Sequence, residues 1–86
     1  MAEYRVVFAR SARRELERLE MSVARRIISR IEALATDPRP PGCVKLQGAA
    51  DLWRIRIGDY RVVYSVDGNA RVVDIRVVRH RSDAYR

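Results

Sequence analysis

Leu52-Trp53-Arg54-Ile55-Arg56-Ile57-Gly58-Asp59-Tyr60-Arg61-Val62-Val63-Tyr64-Ser65-Val66 is the stretch whose reading decides the fold. Two runs rich in β-branched and aromatic residues, Leu52 to Ile57 and Tyr60 to Val66, flank Gly58-Asp59, a pair that tolerates the positive φ of a tight hairpin. Side chains along a strand alternate between faces, so Trp53, Ile55 and Ile57 fall on one side and Leu52, Arg54 and Arg56 on the other. In the second run Tyr60, Val62, Tyr64 and Val66 share a face, which leaves Arg61, Val63 and Ser65 opposite. The apolar sets belong to a core. If the two strands pair, Arg61 stands beside Arg54 and Arg56.

Downstream, Asp67-Gly68-Asn69-Ala70 reads as a second hairpin connection, leading into a third strand from Arg71 to Arg79. These three strands form an antiparallel meander. Upstream, Asp37-Pro38-Arg39-Pro40-Pro41-Gly42 cannot continue a helix and ends whatever precedes it. Before it the period changes to 3.6. Ser22 is placed to cap a helix with Val23, Ile27, Ile28, Ile31, Leu34 and Ala35 on one stripe, and Ser11 to cap a shorter one with Ala12, Leu16 and Leu19. Tyr4 to Phe8 is a first strand. The expected architecture is a single α+β domain over residues 1–86 in two layers. In it, an N-terminal strand and helical hairpin pack on a mainly antiparallel four-stranded sheet, in the order β-α-α-β-β-β.

Composition narrows the function classes. A chain of 86 residues with 48% hydrophobic and 34% charged residues has the balance of a folded single domain. No apolar run approaches the roughly 18 residues of a membrane span, and the first residues lack the apolar core of a signal peptide, so no membrane contact and a cytoplasmic location are expected. Cys43 is the single cysteine, which excludes an internal disulfide and a thiolate metal cluster. Eighteen basic residues against eleven acidic give a net charge of +7 and a pI near 10.7, the balance of a protein that meets polyanions. Lys45 is the one lysine. Arginine-rich codon usage alone would give the same bias, so positions must decide.

The positions are suggestive. Arg54 and Arg56 lie about 7 Å apart along one strand face, close to the spacing of backbone phosphates, although Arg-x-Arg is also the pattern of a solvated strand face. Asp59 and Asp74 are the candidates for neutralising the cluster. The third strand ends in Arg79-His80-Arg81-Ser82-Asp83-Ala84-Tyr85. An imidazole can take or give a proton, a guanidinium can hold a phosphate oxygen, and a phenol ring can stack on a base. Those groups suit RNA cleavage by 2′-hydroxyl attack on the adjacent phosphate, which needs no external water and no metal or other cofactor. Parity raises one difficulty: regular alternation puts Arg79 with Val73, Ile75 and Val77, so it joins Arg61 only if the strand bulges or ends before it.

Lys45-Leu46-Gln47-Gly48, Leu52-Trp53-Arg54-Ile55-Arg56, Gly58-Asp59-Tyr60-Arg61-Val62-Val63-Tyr64 and His80-Arg81-Ser82-Asp83-Ala84-Tyr85, taken together over nearly the whole chain, resemble the RelE branch of the RelE/ParE toxin superfamily. The resemblance implies the toxin of a type II toxin–antitoxin pair, an endoribonuclease that enters the ribosomal A site and cuts messenger RNA, leaving a 2′,3′-cyclic phosphate. It implies a RelB-like antitoxin as partner, in assemblies up to a toxin–antitoxin heterotetramer. Carried over by position, Arg61 and Arg79 match the transition-state arginines, Tyr85 the tyrosine that orients the substrate nucleotide, and Lys45 a basic position near the site. Arg54 and Arg56 fall where well-known members carry lysines, one of them assigned as general base. Guanidinium, with a pKa above about 12, is a poor base. The expectation is therefore that Arg54 and Arg56 clamp phosphate, His80 accepts the proton, and Arg81 adds an RNA contact. Two other readings stand beside this one: a ParE-like toxin acting on DNA gyrase, and an RNA-binding module whose activity decayed with the lysine-to-arginine changes.

Overall fold

The computed structural model describes residues 3–48 and 51–81. Strand β1 (Arg5–Phe8) leads into α1 (Arg10–Glu17) and α2 (Met21–Ala33). After the proline segment come β2 (Val44–Lys45), β3 (Leu52–Ile57), β4 (Tyr60–Asp67) and β5 (Val72–His80). The sheet runs β1-β5-β4-β3-β2, with β1 parallel to β5 and the other neighbours antiparallel. From β1 at one edge the chain crosses one sheet face as the helical hairpin, emerges at β2 on the far edge, and returns through three antiparallel strands. The two-layer α+β architecture is thus as expected, with five strands instead of four. The addition is β2, too short to carry a period; it exists because Val44 and Lys45 pair with Arg54 and Trp53.

Both helices begin before the serines that were to cap them. The parallel ladder continues to Ala9, whose N–H donates to the Ile75 carbonyl at 2.8 Å, so the chain leaves the sheet there and Ala9 takes the N-cap position. Ser11 is left inside the first turn. At α2 the cap is Glu20, and the Ser22 hydroxyl donates to its Oε1 at 2.7 Å. Among the described residues, no helix is long and apolar enough to cross a membrane.

The core fills the space between the layers. Ala12 and Leu16 of α1, with Ile27, Ile31 and Leu34 near α2, pack on Ile55, Ile57, Val62, Tyr64, Val66, Val73, Ile75 and Val78. These strand positions confirm the parity read for β3 and β4. Tyr64 is fully buried and its hydroxyl donates to the Pro38 carbonyl at 2.7 Å, which ties the proline segment to the centre of the sheet. Burial, with the Cys43 thiol beside it, raises the Tyr64 pKa well above its ordinary value of 10.0.

One irregularity decides where the end of β5 points. Tyr64 pairs with Ile75 but Val63 pairs with Val77, so Arg76 is an extra residue, a β-bulge. The Ser11 hydroxyl donates to the bulged Arg76 carbonyl at 3.4 Å, and the Arg76 guanidinium stands 3.8 Å from Asp74. Beyond the bulge the alternation is reset: Val78 is buried where regular alternation would have buried Val77.

Candidate nucleic-acid interface

Helices cover one face of the sheet and leave the other to side chains of opposite parity. On that open face Arg56 of β3 pairs with Arg61 of β4, and Arg61 pairs with Arg79 of β5. Direct partners project to the same side, so three guanidinium groups form one row across three strands, spanning about 10 Å of backbone at the usual strand spacing. The bulge at Arg76 brings Arg79 into this row, removing the difficulty that parity posed. Arg56 and Arg79 are exposed, whereas Arg61 is half-buried.

A second row runs beside the first. Val44, Arg54, Val63 and Val77 are successive partners across β2, β3, β4 and β5. Within this row the Nε of Arg54 is buried and, among the described residues, has no hydrogen-bond partner. The Nε of Arg61 is shielded from solvent as well. An apolar strip thus adjoins a cationic one, the arrangement a nucleotide needs to lay its base on one and its phosphate on the other. Alternation along the strands already placed Val63 on the arginine face but grouped Val77 with Val73 and Ile75 on the opposite one, an assignment the bulge reverses. The signal was present in the paired apolar residues Val77-Val78, where a strictly alternating strand would have one.

Of the two acidic candidates, Asp74 lies away from the arginine row. Asp74 belongs to the row of Leu52 and Ser65, two rows from Arg79, or about 13 Å along the strand. It approaches Arg76, as described above. At the β3–β4 turn the Asp59 carbonyl accepts the Arg81 N–H at 2.7 Å.

His80 does not join the arginine row. It pairs with Tyr60, whose parity is that of the buried Val62, and the two rings meet edge to face with centroids 5.1 Å apart at 85°. Strand alternation therefore sends His80 to the helix side of the sheet, and the role of proton acceptor expected for it finds no geometry on the open face. Lys45 pairs with Trp53, which packs against the core, so its register places it on the helix side at the outer edge. Arg81 is exposed at the β3–β4 turn end. Tyr85 lies outside the described residues. Among the described residues, no three His, Cys, Asp or Glu side chains gather as a metal-binding group.

Comparison with known proteins agrees with this fold. The model of the ParE toxin of the type II toxin–antitoxin system, parDE, matches residues 6–85. A protein of Methanocaldococcus jannaschii described as putative toxin RelE1 is 33% identical over 76 residues, 85% of this chain and 84% of its own. Toxin RelE of Mycobacterium tuberculosis is 32% identical over 84 residues, 96% of this chain and 87% of its own. Among solved structures, a chain of the archaeal RelE–RelB complex from Pyrococcus horikoshii superimposes with a TM-score of 0.82 at 33% identity, covering 92% of this chain and 96% of that one. The fold, the matched family model and the named relatives converge: the chain belongs to the RelE/ParE family of toxins from type II toxin–antitoxin systems, on its RelE side.

Proposed function

We propose that this toxin is an endoribonuclease that enters the ribosomal A site and cuts the messenger there by attack of a ribose 2′-hydroxyl on the adjacent phosphate. The observation that carries the proposal is the row Arg56, Arg61 and Arg79 on one sheet face, with the apolar strip of Val63 and Val77 beside it. Three like charges in register repel one another, and a bound phosphate offsets that repulsion. In the reaction the 2′-oxygen forms a bond to phosphorus, the 5′-oxygen leaves, and negative charge builds on the non-bridging oxygens. Arg61 and Arg79 hold those oxygens, while Arg54 and Arg56 hold the flanking phosphate. Preorganised donors of this kind accelerate most where water is excluded, and the shielded Nε atoms of Arg54 and Arg61 point to such a place. Tyr85 supplies the ring that orients the nucleotide. His80, packed against Tyr60, positions the strand end that carries Arg79 and Arg81.

The partner is an antitoxin of the RelB kind, whose acidic segment covers the arginine face. This reading is supported by the solved complex above, which pairs RelE with RelB. The matched family model is named for ParE, which favours a second reading, inhibition of DNA gyrase. Expression in growing cells separates the two. A ribonuclease produces codon-phased cuts ending in 2′,3′-cyclic phosphate within translated messages, abolished by Arg61→Ala. DNA damage without such cuts rejects the ribonuclease in favour of gyrase.

A further inference from the structure

The arginine row ends at the β3–β4 turn, and the turn is in contact with a helix. Gly58 adopts φ +59, and Nη2 of Arg26 from α2 lies 3.0 Å from where a Cβ would stand on it. The absence of a side chain at Gly58 lets the Arg26 guanidinium lie directly over the turn. Arg30 follows one helical turn later on the same face, and both are exposed. Arg81 is fastened to the other residue of the turn, through its N–H to the Asp59 carbonyl. Arg56 precedes the turn by two residues. Cations of the sheet and of the helical layer therefore meet at one edge of the molecule.

We propose that Arg26, Arg30 and Arg81 form a second RNA-backbone site, a track that continues from the open sheet face around the β3–β4 turn onto α2 and holds single-stranded RNA flanking the cut. The proposal rests on the ribonuclease reading. Like charges at i and i+4 on a helix oppose each other, and neither Arg26 nor Arg30 makes an ion pair among the described residues. Their surroundings on α2, Arg25 and Ser29, are exposed and polar, and among the described residues the large exposed apolar ones are Met21 and Val44. A protein-docking surface has an apolar centre, which this one lacks. A chain of phosphates asks for charge at intervals and nothing more. The sheet face fixes the cut, and the track resists slippage of the strand.

Binding of non-cleavable 2′-O-methyl RNA, three and nine nucleotides long, tests this across a series of salt concentrations. On single strands each neutralised phosphate adds about 0.7 to the slope of log affinity against log salt. We expect a steeper slope for the nine-mer than for the three-mer. Arg26→Gln with Arg30→Gln should remove most of that excess and leave three-mer binding unchanged, and Arg26→Lys with Arg30→Lys should restore it. Thermal unfolding of the same variants verifies that they fold. Equal slopes for the two lengths in the wild type, or an intact excess in the glutamine variant, overturn the track and leave the ribonuclease reading standing. An intact RNA slope with weakened binding of the acidic antitoxin also overturns it, assigning the surface to protein. Absence of salt-dependent binding to either oligomer rejects the track, while the parent reading is rejected separately by the absence of codon-phased cuts in translated messages.

Discussion

Arg61 of β4 and Arg79 of β5 are direct cross-strand partners, although regular alternation along β5 would send them to opposite faces. The extra residue Arg76 reconciles the two statements, and the placement of the site depends on it. Like charges directly opposite on a sheet are destabilising, so on the proposed function the row of Arg56, Arg61 and Arg79 trades stability for anion binding.

That trade is measurable. Arg56→Gln should leave the free protein as stable or more stable, by up to about 0.5 kcal/mol in denaturant unfolding, because it removes one charge from the row. It should also weaken binding of the messenger-programmed ribosome. Loss of stability together with unchanged binding would contradict the assignment.

The bulge makes two opposite expectations for single-residue changes in β5. Deleting Arg76 converts the ladder to a regular one without changing the face of Val78 or Arg79, so the variant should fold and cut RNA within about tenfold of wild type. Inserting an alanine between Val78 and Arg79 exchanges the faces of Arg79 and His80 and should reduce cleavage by about a hundredfold or more. Primer-extension mapping of cuts in a translated message reads both, and equal activities would refute the parity account.

His80 offers a third test. Because it packs against Tyr60 on the helix side, His80→Gln should leave the pH profile of single-turnover cleavage unchanged in shape, with a loss of less than about tenfold. Arg61→Ala should cost about a hundred- to a thousandfold. A profile that loses a limb in the glutamine variant would restore His80 as the proton acceptor.

Tyr64 links stability to alkaline pH. Its folded pKa is raised above the unfolded value near 10.0, so its contribution is complete below pH 10 and is lost as pH rises above it, at up to about 1.4 kcal/mol per pH unit. Tyr64→Phe should remove that part of the alkaline slope. It should also cost about 1–3 kcal/mol near neutrality, since the Pro38 carbonyl loses its donor. Denaturant unfolding of both proteins between pH 7 and 11 provides the comparison.

Much of this architecture was legible because period and punctuation agree. The alternation of Trp53, Ile55 and Ile57 and of Val62, Tyr64 and Val66 placed the core, Gly58 placed a turn, and the proline segment ended the helices. What escaped was set by partners distant in sequence. β2 has two residues and takes its identity from Arg54 and Trp53; Ala9 replaces Ser11 as cap because β5 holds its N–H. The same holds for the site. Arg54, Arg56 and Arg61 could be placed together from strand parity, and Arg79 needed a bulge whose only local sign is the Val77-Val78 doublet. His80, one residue after Arg79, then had to fall on the wrong side for the role its chemistry suggested.

The central claim, that Arg61 and Arg79 grip the same phosphate, is tested most directly by a double-mutant cycle on single-turnover cleavage at programmed ribosomes, with Arg61→Gln, Arg79→Gln and the double variant. Groups sharing one substrate atom act as a unit, so the double variant should fall well short of the product of the two single losses, with a coupling above about 0.5 kcal/mol. Independent, multiplying losses would mean that the two arginines touch different parts of the substrate.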